Sequence, residues 1–246
     1  MEQTVVQAAA DALRAGRPVL LFDADGREGE TDIVYASQHT TPEAIRHLRT
    51  DAGGLVCTAL SPEHHRKLGL PFLVDLLAEA AASHPVLAGM GATDLRYDAN
   101  KSSFGLTINH RGTFTGIPDA DRSLTVQELA RFCATLGGMP EDAARREFGA
   151  RFRAPGHVIL LNGHERGLAA RQGHTELSLE LARLAGLTPS TTICEMLDPV
   201  SGKALPRKDA QAYAQRHGLV FLTGQDVLEA WQAKTQASPR AARTSA

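Results

Sequence analysis

Apolar positions recur at helical spacing over residues 3–15, where Val5, Val6, Ala9, Ala12 and Leu13 share one face and Gly16 ends the run. The apolar stretch 18–23 is short and continuous and predicts a buried strand, and 32–36 predicts another beyond a charged turn. Thr41 as a cap with Pro42 behind it opens a helix to about residue 50. Residues 54–59 read as a strand, and Ser61-Pro62-Glu63 as the start of a helix. His84-Pro85, Gly89, Gly91 and Asn100 break any period over 83–101, which predicts a long loop with one short helix. Residues 103–109 and 113–117 predict a hairpin across Arg111-Gly112. Helices follow over 124–135, 175–185, 207–217 and 224–236, and strands over 156–161, 191–196 and 219–222. From Ala237 onward there is no apolar face, so 237–246 is expected to be a disordered tail. With no repeat and no linker, the alternation predicts a single domain over 1–236. Its class is α+β, one mixed β-sheet layered with helices.

Composition narrows the function. In 246 residues, 26 Lys and Arg stand against 28 Asp and Glu, for a formal charge of -2. A chain so balanced has no basic excess for holding a nucleic-acid backbone, so nucleic acid is not an expected partner. The longest apolar runs are far too short for a bilayer, and the N-terminus lacks the pattern of a signal peptide, so no membrane is expected. Cys57, Cys133 and Cys194 form no CxxC pair and are an odd number. Buried thiols in a reducing, cytoplasmic setting are the expectation.

Chemistry concentrates in a few places. Asp23, Asp25, Glu28, Glu30 and Asp32 put five carboxylates into ten residues directly after a predicted strand. Like charges that close repel unless they share a cation or a proton, and hard oxygens suit Mg²⁺. A solvated acidic turn would have the same composition. Arg171-Gln172-Gly173-His174-Thr175-Glu176 precedes a predicted helix, whose N-terminus favours anions; Arg171 can grip phosphate, and Thr175 can cap the helix. An ordinary capped helix would read the same way. His157 beside a strand reads first as a structural histidine. Glu195 at a strand end reads either as a buried ion-pair partner or as an acid of raised pKa. The run from Thr115 to Arg122 reads first as a turn with an Asp–Arg pair. Together these residues suggest a hard-metal site facing an anion site, suited to a small phosphorylated, polyhydroxylated substrate.

The stretches DADGREGETDIVYAS, DAGGLVCTAL, SSFGLTINHRGTFTGIPDADRSLT, FRAPGHVILL, RQGHTELSLELARLAGL and TTICEML, in this order over roughly residues 10–232, resemble the 3,4-dihydroxy-2-butanone-4-phosphate synthase family of riboflavin biosynthesis. The longer segment at 78–101 looks like the archaeal-type form. The resemblance implies a lyase that converts D-ribulose 5-phosphate to L-3,4-dihydroxybutan-2-one 4-phosphate and formate. It implies Mg²⁺, with Mn²⁺ as the alternative ion, held by Glu28 and His174. Substrate contacts are implied at Arg27, Glu30, Asp32, Arg171, Gln172, Gly173, Thr175 and Glu195, with His157 and Glu195 essential for turnover. Asp32, Glu30 or His157 would take the first proton, and Cys57 and Thr115 would lie near the site. A homodimer with its sites near the interface is also implied. A sugar-phosphate-binding protein without catalysis, or an enzyme for another phosphorylated ketose, would use the same metal and phosphate residues.

Overall fold

The computed structural model describes residues 3–90 and 95–237. Nine α-helices are found among them: α1 (Val5–Arg14), α2 (Pro42–Thr50), α3 (Pro62–Leu68), α4 (Leu73–Ala80), α5 (Asp119–Thr135), α6 (Glu141–Arg151), α7 (His174–Leu184), α8 (Arg207–His217) and α9 (Gly224–Ala237). Seven strands are β1 (Val19–Phe22), β2 (Thr31–Ala36), β3 (Cys57–Leu60), β4 (Phe104–His110), β5 (Phe152–Asn162), β6 (Ser190–Glu195) and β7 (Val220–Thr223). They form one mixed sheet in the order β4-β5-β3-β6-β2-β1-β7. Pairs β3–β5 and β1–β7 run parallel; the other neighbours run antiparallel.

The local signals act as expected at several helix starts. Thr4, Thr41 and Ser61 accept backbone N–H groups from Gln7, Ala44 and His64, satisfying donors that a helix end leaves free. Strand alternation then divides the core. Val19, Leu21, Val34, Ala36, Cys57, Ala59 and Ile193 face the layer of α1, α7 and α9. On the other side, Leu20, Ile33 and Cys194 meet α2 and α8, while Leu60, Ile108, Val158 and Leu160 meet α5 and α6. All three cysteines are buried and free.

The predicted hairpin over 103–117 is not formed. The turn at Arg111-Gly112 exists, with Thr113 N donating to His110 O at 3.1 Å, but 113–117 is irregular. β4 pairs instead with β5, a partner remote in sequence. The strand expected from Gly54 begins at Cys57, and the helix expected from 124 begins at Asp119. Helices α4 and α6 were not expected. α6 buries only Ala144 and α4 buries nothing, so neither carries a clear apolar stripe to the core. The described residues of the 83–101 stretch contain one short 3₁₀ turn, Pro85–Gly89, as expected. Of the tail expected over 237–246, all but Ala237, the last residue of α9, lies outside the described residues.

The β4–β5 pairing has one tight point. Between Ile108↔Val158 and Asn109↔Arg153 the register jumps, and residues 154–157 of β5 are extra to the ladder. Gly156 passes beneath the β4 backbone, so that a Cβ there would lie 1.9 Å from the Ile108 carbonyl carbon. Gly156→Ala is therefore expected to cost at least about 3 kcal/mol, lowering Tm by roughly 6 °C or more. Gly137→Ala, where a Cβ meets nothing within 4 Å, should leave Tm nearly unchanged. Equal melting temperatures by calorimetry would contradict this close approach.

Candidate active site

Three pieces of chain converge on a cleft of about 240 Å³. The first is the turn between β1 and β2. Asp23, buried at the end of β1, accepts the Glu28 amide through Oδ2 and the Glu30 amide through Oδ1, both at 3.0 Å. It also takes a bond from Arg27 Nη1 at 3.2 Å. One carboxylate thus folds the acidic turn back on itself and presents Glu28 and Glu30 to the cleft.

The second piece is the start of α7. Gly173, not Thr175, stands at the N-cap, and His174 and Thr175 are the first helical residues, both buried. A Cβ at Gly173 would lie 2.6 Å from the Arg27 guanidinium and 2.7 Å from that of Arg171, so glycine is what lets both cations approach this helix end. Arg171 is held by Glu176, with Nη1 2.8 Å from Oε2, and Glu176 is fixed in turn by the His164 amide at 2.9 Å.

The third piece is the paired ends of β2 and β6, where Asp32 lies directly opposite Glu195 on the α7 side. No cation pairs with Glu195 among the described residues, so the ion-pair reading of that residue is not supported. Cys57, Ser103, Phe104 and Tyr97 complete the wall, and Cys57 sits beside Ile193 in the sheet.

His174 joins these pieces. Its Nδ1 lies 3.3 Å from Glu28 Oε2, and its Nε2 lies 3.2 Å from the Glu30 carbonyl and 3.6 Å from Asp32 Oδ1. With Nε2–H given to the carbonyl, Nδ1 is left to act as a ligand, the arrangement usual for metal-bound histidine. Asp23, Glu28 and His174 offer donor atoms within 4.8 Å of one another. The 3.3 Å spacing of Glu28 and His174 fits neighbouring ligands of an ion about 2.1 Å from each. The oxygens of Asp23 are already committed to the turn, so its part is to hold Glu28 in place.

The electrostatics follow from crowding. Burial, with Glu195, Glu28 and Glu30 nearby, raises Asp32 to about 8 despite His174. Burial and neighbouring carboxylates also raise Glu30, and burial raises Glu195. Glu28 goes the other way: burial opposes its charge, but His174, Arg27 and Arg171 outweigh it and lower its pKa. Burial disfavours charge on His174 too, yet Asp32, Glu28 and Asp23 together lift it to about 9. The Cys57 thiol is pushed up by burial and nearby acids and stays protonated at neutral pH.

Not every expected residue is in the cleft. Gln172 is exposed and lies on the outer side of the β1–β2 turn, with Asp25 and Arg27. His157 and Thr115 are exposed and do not line the cleft. They belong to a second cluster built on Asn109. Its Oδ1 accepts the His157 amide at 2.8 Å, and its Nδ2 lies 3.1 Å from His157 Nδ1 and 3.3 Å from the Thr115 carbonyl. Asp119 and Arg122 pair at 3.3 Å beyond this turn, as expected. Sequence reading did not single out Asp23 alone, Tyr97, Asp98, Asn109, Ser103 or Glu176 as site builders. Asp23 carried a signal, as the first of the clustered acids at a strand end, and Glu176 as the last residue of the 171–176 motif; the others are isolated polar residues.

A single sheet with helices on both sides, opening at its strand ends into a cleft with hard ligands on one wall and the Arg171 guanidinium on another, is the framework of an enzyme for small anionic substrates. Residues 7–230 match the family described as 3,4-dihydroxy-2-butanone 4-phosphate synthase. A protein of that name from Methanothermobacter thermautotrophicus is 45% identical over 227 residues, covering 92% of this chain and 96% of that protein. Another from Methanosarcina mazei is 45% identical over 228 residues, covering 92% and 90%. A solved 3,4-dihydroxy-2-butanone 4-phosphate synthase in complex with two magnesium ions superposes with a TM-score of 0.69 at 28% identity, covering 94% of this chain and 97% of that one. The chain belongs to the 3,4-dihydroxy-2-butanone 4-phosphate synthase family.

The charge pattern has a consequence for stability. His174, raised to about 9 from 6.5, stabilises the fold fully below about pH 6.5 and loses that contribution as pH climbs through 9. Asp32, raised to about 8, is a carboxyl that resists ionising in the folded state, so it too favours unfolding as pH rises. Without divalent metal, Tm should therefore fall between pH 7 and 9, and His174→Gln should flatten the fall. An unchanged slope in that variant would contradict the coupling of His174 to these acids.

Proposed function

We propose that this chain converts D-ribulose 5-phosphate to L-3,4-dihydroxybutan-2-one 4-phosphate and formate in riboflavin biosynthesis, with Mg²⁺ as the ion and Mn²⁺ as its substitute. The observation that carries this reading is the meeting of Glu28 and His174, distant in sequence, at 3.3 Å in the cleft that also receives Arg171. The donor set fits the ion: a carboxylate of lowered pKa beside an imidazole nitrogen whose partner N–H is already used. When bound, Mg²⁺ supplies Lewis acidity to the substrate carbonyl and its neighbouring hydroxyls.

The chain's own groups do the rest. Arg27 and Arg171, with Thr175 at the α7 N-terminus, bind the phosphate and fix the register of the carbon chain. Glu30, Asp32 and Glu195 line the sugar path. Asp32, raised to about 8, can take or return protons near neutral pH, as enolisation and dehydration require, and burial raises Glu30 and Glu195 in the same direction. Water lost in the dehydration returns in the hydrolysis that frees formate, so no oxidant is needed. Cys57 stays a neutral wall group rather than a nucleophile.

His157 and Thr115 lie outside this cleft, yet His157 is implied to be essential. A two-fold homodimer resolves the difference by bringing one subunit's Asn109–His157–Thr115 cluster to the other's cleft. The exposed apolar residues around the cluster support this: Phe114 is 92% and Ile117 51% accessible, one on each side of Thr115. No helix among the described residues is long and apolar enough to cross a membrane.

Incubation with ribulose 5-phosphate and Mg²⁺, followed by NMR, is expected to show formate and a four-carbon phosphate in equal amounts. Glu28→Gln should abolish both while leaving the fold intact. Retained turnover in that variant would remove Glu28 from the metal site, and absence of formate from the unaltered chain would overturn the reaction. A solution mass near 26 kDa would overturn the dimer.

A further inference from the structure

The two guanidiniums assigned to phosphate are already engaged. One oxygen of Asp98, Oδ2, lies 2.9 Å from Arg27 Nη2 and 2.8 Å from Arg171 Nε. Asp98 comes from the irregular stretch leading into β4, not from the strands and helix that frame the cleft. Its side chain is 6% exposed. Its other oxygen accepts both the backbone and side-chain N–H of Asn100 at 2.9 Å, and Asn100 Nδ2 also donates to the Ala170 carbonyl at 3.4 Å. The Tyr97 ring lies over Arg27, 5.5 Å from guanidinium carbon to ring centroid, yet stays 44% exposed. The contacts that hold this segment to the arginines are thus ionic, polar and cation–π.

Two features mark Asp98 as a stand-in rather than a fixed part of the site. Arg171 Nε is buried and finds no aligned acceptor, although the Asp98 oxygen is only 2.8 Å away. The carboxylate is thus close to this donor without satisfying it, as a mismatched occupant would be. The charge count points the same way. With Asp98 in place, Arg27 and Arg171 are paired with Asp23, Glu28, Asp98 and Glu176. A phosphate monoester, close to a dianion at neutral pH, would arrive beside carboxylates that already outnumber the guanidiniums. Removing Asp98 frees Arg27 Nη2 and Arg171 Nε together, nitrogens of two arginines that both lie within 2.9 Å of one point, a spacing suited to gripping phosphate.

We propose that Asp98 is an internal placeholder for the substrate phosphate: it holds Arg27 and Arg171 in the free protein, is exchanged for the phosphomonoester on binding, and sets the affinity for phosphorylated substrate and product. This rests on the assignment of Arg27 and Arg171 to phosphate made above. Because the product keeps the phosphate, return of Asp98 also assists its release. A fixed buttress for the arginines would act in the opposite direction, since its loss would loosen them and weaken binding.

The test is titration calorimetry of the full-length protein in Mg²⁺ with inorganic phosphate, alongside steady-state kinetics with ribulose 5-phosphate. Asp98→Asn is expected to bind phosphate about tenfold tighter, because the binding-competent state no longer competes with the docked carboxylate. KM should fall in parallel, and kcat should fall as product release slows. Asp98→Ala should shift binding in the same direction, which guards against an effect peculiar to the amide. Unchanged or weaker phosphate binding in both variants, with a raised KM, would overturn the placeholder and make Asp98 a buttress. Arg171→Ala separates the two levels of inference. If it loses phosphate binding while the Asp98 variants gain none, only the placeholder fails; if it binds phosphate as well as the unaltered chain, the phosphate site fails with it.

Discussion

Too many carboxylates for the available cations is the constraint on which this structure turns. Glu28, Glu30, Asp32 and Glu195 line one cleft, with Asp23 and Glu176 behind it, and the cations within reach are Arg27, Arg171 and His174. Each departure from ordinary acid strength follows from burial acting together with that imbalance. Asp32 and Glu195, opposite one another on adjacent strands, rise because burial outweighs the pull of His174 on both. Glu28, closest to the positive groups, falls. A divalent ion between Glu28 and His174 would relieve the same imbalance, so that metal affinity and proton-carrying capacity would have one physical origin.

The fold supplies this concentration of charge cheaply because the groups sit at strand and helix ends. Antiparallel pairing of β2 with β6 puts Asp32 against Glu195, and the α7 N-terminus delivers His174 and Thr175 to the same level. The apolar halves of these strands lie behind them, packed between α1, α7 and α9 on one side and α2 and α8 on the other. The second cluster depends on a different device. The β5 irregularity at Gly156 pushes His157 out of the ladder, where Asn109 pins it beside Thr115. The residues proposed to act are thereby divided between a cleft and an exposed surface of the same subunit, a division that the proposed dimer would reunite.

Much of this was legible in the sequence because it is local. The acidic turn, the α7 start, the caps at Thr41 and Ser61 and the short buried strands each carry their signal within a few residues. The metal pair and the dimer, by contrast, were suggested by resemblance to a family, since spacing alone would not have chosen His174 for a hard ion. What failed was non-local or lacked contrast. β4 was paired with the nearest apolar run because periodicity cannot see β5 some forty residues on. α6 shows no stripe because it buries one alanine, and α5 was entered late because Asp119, Asp121 and Arg122 read as a turn. Asp98 and Asn109, and the specific part that Glu176 plays within its motif, were not legible for a further reason. Each is an unremarkable polar residue whose role exists only once Arg27, Arg171 or His157 has been folded against it.

The central claim is that Glu28 and His174 grip one divalent ion from opposite sides of the cleft. Pulsed electron paramagnetic resonance of the chain loaded with Mn²⁺ addresses it directly, because a nitrogen ligand imprints its nuclear coupling on the manganese signal. The account predicts coupling to a single imidazole nitrogen that disappears in His174→Gln. A manganese signal without nitrogen coupling, or one that keeps it in the variant, would contradict the account.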